Sequence, residues 1–148
     1  MSEVANIEDI EQEIIDDFSL FESANDKNFY LMDLGDKLNP LDEKYKVDEN
    51  KIKGCQSQVW LVSHAEGDKI FFEADSDSDI TKGLISILIR ILSNHSFDEV
   101  IKFNLNDFMS RVQLNSFITQ RRSNGFLSMV ERMKRDALAY KAKAQLNS

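Results

Sequence analysis

The chain has 148 residues, 42% of them hydrophobic and 30% charged, enough for one domain with its own core and too apolar for a disordered chain. It has a formal net charge of −8, which sets it against nucleic acid phosphates as partners. The charge is uneven: residues 1–50 hold 15 acids and 4 bases, while residues 101–148 hold 3 acids and 9 bases. The basic third has helical spacing and reads as a solvated helix face. One proline and five glycines favour helices over a loop-rich β architecture.

Ile7, Ile10, Ile14, Phe18 and Phe21 recur at steps of three and four, the stripe of an amphipathic helix with Glu8, Glu11, Asp16 and Asp17 outside it. Ser23 to Asp26 reads as a break with capping residues. A second helix carries Tyr30, Leu31, Leu34 and Leu38 inward and ends at Asn39-Pro40, which makes an antiparallel helical hairpin. Pro40 to Ile52 is polar and reads as a surface loop leading into Lys53-Gly54-Cys55-Gln56-Ser57. Val59 to Val62 and Ile70 to Phe72 are rich in β-formers, and Glu66-Gly67-Asp68 between them is a turn signal. A hairpin alone is marginal, so a further strand is expected, placed around Asn50 to Lys53, with helices covering one face.

Asp75 to Asp79 reads as a capping cluster for a helix running to about Ser93. Its apolar residues, from Ile80 to Leu92, surround nearly the whole circumference, the mark of a central helix. Phe97 to Ile101 and Asp107 to Val112 are short helical pieces. Phe126, Met129, Val130, Met133, Ala137 and Tyr140 are the stripe of a long last helix. No repeat or low-complexity segment interrupts this order. The expected class is α+β, one domain over 1–148, with a small antiparallel sheet and helices packed on one side.

No basic and apolar leader is visible at the N-terminus. The longest near-apolar stretch, Gly83 to Leu92, is too short to cross a bilayer. With a single cysteine and so no internal disulfide, the expectation is a cytoplasmic protein with no membrane partner.

The chemical inventory is small. His64 and His95 stand in no metal spacing and read as surface histidines, and one cysteine builds no zinc or iron–sulfur site, so neither a metal nor a resident cofactor is expected. No phosphate-binding glycine loop or nucleophile elbow is present. The acidic run Asp75 to Asp79 lacks the glycine and distal glutamate of a calcium loop. Cys55 remains. A lone cysteine is commonly a small buried hydrophobe. This one follows Gly54 and precedes Gln56-Ser57-Gln58, a polar loop tip where a thiolate has access to another sulfur. A reactive and a structural thiol both fit those residues.

Lys53-Gly54-Cys55-Gln56-Ser57-Gln58-Val59-Trp60 resembles the signature of the SufE family, sulfur acceptors that activate cysteine desulfurases. Ala74-Asp75-Ser76-Asp77 followed by Ile80-Thr81-Lys82-Gly83-Leu84-Ile85 is similar to the family's second block. Arg122-Ser123-Asn124-Gly125-Phe126 resembles the third, a turn before the last helix, and Tyr30 to Gly35 resembles its early helix. The blocks stand in family order over residues 12–140. The N-terminus is longer and more acidic than the family motif requires.

The resemblance implies an α+β fold with the thiol on a loop that tucks into a pocket and swings out. It implies that Cys55 takes sulfane sulfur, as a persulfide, from a SufS-like cysteine desulfurase. Cys55 would then pass the sulfur to a SufBCD-like iron–sulfur scaffold complex. The pyridoxal phosphate would belong to the desulfurase. Gly54, Gln56, Ser57 and Asp77 become loop or partner residues, with Gln56 and Gln58 lining the pocket and Trp60 in the core. Arg122 either favours an anionic sulfur or fixes the turn through a backbone bond. Asp77 either holds the loop or caps a helix. Two other functions fit the same residues: a desulfurase-binding regulatory module acting without sulfur transfer, and a redox-active thiol, although a redox sensor usually has a resolving cysteine and this chain has none.

Overall fold

The computed structural model describes residues 5–147, beginning with helices α1 (Ile7–Ser19) and α2 (Ala24–Asp36). Asn6 and Ser23 cap them, accepting the backbone N–H groups of Asp9 and Asp26. Ile10, Ile14 and Phe18 are buried along α1, each contributing about 1.5–3 kcal/mol by leaving water. Tyr30 of α2 meets Phe18 edge-on and stacks on Phe21, both at 5.0 Å between centroids, which closes the hairpin. Two single 3-10 turns, Glu43–Tyr45 and Asp48–Asn50, shape the stretch that the sequence presents as a loop.

Strands β1 (Val59–Glu66) and β2 (Lys69–Ser76) pair antiparallel, from Val59 opposite Ser76 to Glu66 opposite Lys69. The two residues between them include Gly67 at φ +63°, the left-handed backbone that a tight hairpin requires. β3 (His95–Ser96) adds to β2, giving the order β1-β2-β3. The third strand therefore lies at His95–Ser96 and not at Asn50–Lys53. That earlier segment makes only a bridge, Lys51 opposite Trp60, with the Ile52 N–H donating to the Val59 carbonyl. It leaves the sheet at once because Gly54 and Cys55 turn the chain away.

Helix α3 (Asp79–Leu92) is the central helix, with Leu84, Ile85, Ile87, Leu88, Ile91 and Leu92 all buried. It packs on α2 through Gly83, where an added Cβ would lie 2.1 Å from the Leu31 carbonyl oxygen. Asp75 and Ser76 belong to β2 and not to the cap of this helix. Ser78 is the cap, and its side chain accepts from the Thr81 N–H. The short helices α4 (Phe97–Lys102) and α5 (Leu105–Val112) lead to α6 (Gln120–Leu146), 27 residues capped by Thr119. α6 thus starts before Arg122, so the Arg122 to Phe126 block forms its first turns and not a turn ahead of it.

Val59, Leu61, Ile70, Phe72 and Ala74 point from the sheet to α3 and α6, alternating with the opposite face. The helices cover that one face. The other face is crossed at one end by the chain around Leu41 and Lys46, whose ammonium lies over the Trp60 ring. Along the outer edge of β1, the Tyr140 hydroxyl donates to the Ser63 carbonyl. Among the described residues no helix is long and apolar enough to cross a membrane.

Candidate functional site

The Cys55 loop connects the Lys51–Trp60 bridge to β1. Gly54 sits at φ +87°, which L side chains rarely adopt, and an added Cβ would stand 3.0 Å from the Ser128 hydroxyl. Glycine at this position lets the loop fold back on α6 and places Cys55 over Gly125. The Sγ is 3.7 Å from the Gly125 carbonyl oxygen, to which the thiol donates. Gly125 has no side chain to fill the gap, so a Cβ there would touch Sγ at 3.4 Å.

The sulfur faces a cavity of about 10 Å³ whose walls include Ser57, Thr81, Leu84, Arg121, Arg122 and Met129. That is room for about one water-sized sphere. Cys55 is half-buried, and burial pushes its thiol above the ordinary value. In this position the proton stays on sulfur at neutral pH, so the resting thiol is a weak nucleophile.

Arg122 reaches the pocket from the first turn of α6. Its Nη1 donates to the Thr81 hydroxyl at 2.9 Å, the Ser78 hydroxyl at 3.0 Å and the Ser57 hydroxyl at 3.5 Å. The Thr81 hydroxyl also donates to Ser57 at 3.4 Å. Neither Arg122 nor the neighbouring Arg121 has an ion pair among the described residues; Arg121 is exposed at the rim. The Arg122 side chain thus bonds to side-chain hydroxyls, one on the α3 cap residue, one in its first turn and one on the Cys55 loop.

Asp77 does not cap α3. Its Oδ1 accepts the Gln58 backbone N–H at 3.0 Å, and its own N–H donates to the Gln58 carbonyl at 3.4 Å. The C-terminal end of the Cys55 loop is stitched to the end of β2 by this pair. Asp75, two residues away, points to the other face and is almost fully paired. Burial alone would raise its carboxyl, but the Ser76 and Leu41 amides and the Lys46 ammonium outweigh that and hold it below the usual carboxylate range.

Of the residues singled out in the sequence, Cys55, Gln56, Ser57 and Arg122 line one pocket, with Gly54 behind Cys55 and Asp77 at the foot of the loop. Gln58, expected to line the pocket, is exposed and outside it; its backbone N–H instead donates to Asp77. Trp60 is half-buried on the opposite sheet face, its indole N–H without a partner among the described residues. His64 is exposed and stacked on Phe71. His95 is not a surface residue: it is 3% exposed, with its ring nitrogens 3.1 Å and 2.8 Å from the Ser93 and Ala5 carbonyl oxygens. The polar stretch around it hid that burial. No histidine lines the Cys55 pocket.

Sequence reasoning placed Ser78 in a helix-capping cluster and Thr81 in a family block, and gave neither of them, nor Arg121, a role at the pocket. The available signal was an Arg-Arg pair in a helical first turn with no acid beside it, a place where the helix dipole disfavours cations.

A lone, shielded thiol against two cations, on a three-stranded α+β scaffold, is the class that the geometry defines. The architecture is shared with the solution structure of a hypothetical protein from Thermus thermophilus, at a TM-score of 0.71 and 18% identity. That match covers 88% of this chain and 96% of the other. The family model described as "SufE: Fe-S metabolism associated domain" matches residues 12–137, and the chain belongs to the SufE family. It is 36% identical to an uncharacterized SufE-like protein of Rhizobium meliloti, over 84% of this chain and 92% of that one. It is 32% identical to the cysteine desulfuration protein SufE of Wigglesworthia glossinidia brevipalpis, over 83% and 86%. The SufE-like protein 1, chloroplastic/mitochondrial, of Arabidopsis thaliana is 36% identical over 93% of this chain, which spans 37% of that protein.

Proposed function

We propose that Cys55 accepts sulfane sulfur from a cysteine desulfurase and carries it, as a persulfide, to an iron–sulfur scaffold complex in the cytoplasm. The observation that carries this reading is the placement of the chain's one thiol. It sits on a loop held by few bonds, shielded against α6, beside a guanidinium with no carboxylate partner.

The transfer needs no external oxidant. Deprotonated Cys55 attacks the outer sulfur of the desulfurase persulfide, a new S–S bond forms at Cys55, and the desulfurase cysteine leaves as thiolate. Burial raises the Cys55 pKa and so slows its reaction at rest, and displacing the loop removes that penalty. A partner that displaces the loop supplies that condition, whereas a free-standing redox thiol would need its thiolate at rest. Pyridoxal phosphate chemistry stays with the desulfurase.

The test is intact mass after incubation with a cysteine desulfurase and free cysteine. Wild type should gain one or more sulfur atoms that reductant removes, and Cys55→Ser should gain none. Faster desulfurase turnover with no added sulfur would instead establish a regulatory module. Neither effect would reject both readings.

A further inference from the structure

A half-buried guanidinium usually meets a carboxylate, because its charge is costly to leave uncompensated. Arg122 meets hydroxyls. Two of them, Ser78 at the cap of α3 and Thr81 in its first turn, are fixed there independently. Ser78 caps that helix, its own N–H donates to the Ser76 hydroxyl at 3.2 Å, and Thr81 is 6% exposed. Carboxylates are close in sequence but directed elsewhere. Asp75 takes Lys46 and two amides, Asp77 takes the Gln58 amide, and Asp79 is exposed without an ion pair among the described residues.

We propose that Ser78 and Thr81 are positioning residues that hold Arg122 by neutral oxygens, so that its full charge stays available to an anion entering the Cys55 pocket. A hydroxyl accepts the N–H and fixes its direction without cancelling the charge. A carboxylate at either position would hold the arginine better and leave nothing for the incoming group. Ser57 completes the cradle from the Cys55 loop, so displacing the loop removes one of the three acceptors and exposes the guanidinium further. Resting on the sulfur-transfer reading, the anion would be the sulfur that Cys55 receives, a persulfide being ionised more readily than a thiol.

The experiment compares the alkylation rates of Cys55 by iodoacetate, an anion, and iodoacetamide, its neutral counterpart, across variants of Ser78. Asn and Asp both cap helices, so both variants should fold, and they differ by one charge. The iodoacetate-to-iodoacetamide rate ratio should fall about fivefold in Ser78→Asp and less than twofold in Ser78→Asn. In an Arg122→Gln background, Ser78→Asp should change the ratio far less. Thr81→Val should also lower the ratio, and Thr81→Ser should restore it, which keeps the test open if a Ser78 variant does not fold. Equal losses in Ser78→Asn and Ser78→Asp, or an undiminished Asp effect without Arg122, would overturn the proposal. If the ratios behave as expected while desulfurase loading of Cys55 ignores Ser78→Asp, the cradle stands and the assignment of sulfur as its anion fails.

Discussion

Asp75 and Arg122 are two charged groups near the junction of β2 and α3, and they are treated in opposite ways. Asp75 lies on the far face of the sheet with a side chain 8% exposed, and an ammonium at 3.3 Å and two backbone amides satisfy it. Arg122 faces the Cys55 pocket with hydroxyl partners and no opposite charge. The contrast is between a charge that is compensated and one that is held without compensation. Where a charge is fully compensated, removing it is felt in folding. Where it is held but not compensated, removing it is felt by whatever anion comes to the site.

The sharpest way to break this division is at Cys55 itself. Cys55→Ser should abolish sulfur acceptance, read by intact mass, while unfolding stays within about 1 kcal/mol of wild type. Next in size, Asp75→Asn should cost about 2 kcal/mol in urea unfolding by leaving Lys46 and an amide without their acceptor, with sulfur loading per folded molecule unchanged. The pH dependence has a definite sign. Because folding lowers the Asp75 pKa, its stabilisation is present above the unfolded carboxylate value and is lost as pH falls through the folded value. Asp75→Asn should therefore flatten the acid limb of stability.

Arg122→Gln should do the reverse, slowing desulfurase loading of Cys55 by about tenfold with a melting temperature close to wild type, a loss of about 1.4 kcal/mol in the transfer step alone. A large fall in stability with no change in transfer would make Arg122 a structural group like Asp75. The smallest effect is a displacement in pH. Alkylation of native Cys55 by iodoacetamide should rise with a midpoint above that of a free thiol, because burial raises the native pKa, and should return to the ordinary midpoint in urea.

How far the sequence discloses this arrangement depends on the range over which each feature is encoded. The stripe Ile10, Ile14, Phe18 is local, and so α1 is legible. The same holds for the nearly all-round apolar residues of α3 and for the hairpin around Gly67. β3 is two residues long and carries no alternation; its existence follows from where β2 already stands. The start of α6 was hidden because Asn124-Gly125 reads as a break, whereas the glycine is there to admit the Cys55 sulfur. Cys55 and Arg122 were found through a motif and not from periodicity. Ser78 and Thr81 reach Arg122 across 44 and 41 residues, and Ser57 across 65, distances at which no local pattern signals a contact. Asp75 and Asp77 look alike in the sequence, and only their partners tell them apart: Asp75 takes Lys46 and two amides, and Asp77 takes the Gln58 amide.

The bond from Tyr140 to the Ser63 carbonyl has a consequence for life in a crowded cell. β1 is the longer edge of the sheet, and an exposed edge is a template on which another chain can add a strand. Ile52 occupies one outward carbonyl and Tyr140 another, four residues apart, while on the opposite side β3 covers Lys69 and Ile70 and the Ser93 hydroxyl takes the Phe72 N–H. A strand from a neighbouring molecule therefore meets an interrupted row of acceptors along β1. The hydroxyl that ties the last helix to the sheet thus also interrupts that edge against strand addition by a second copy of the chain.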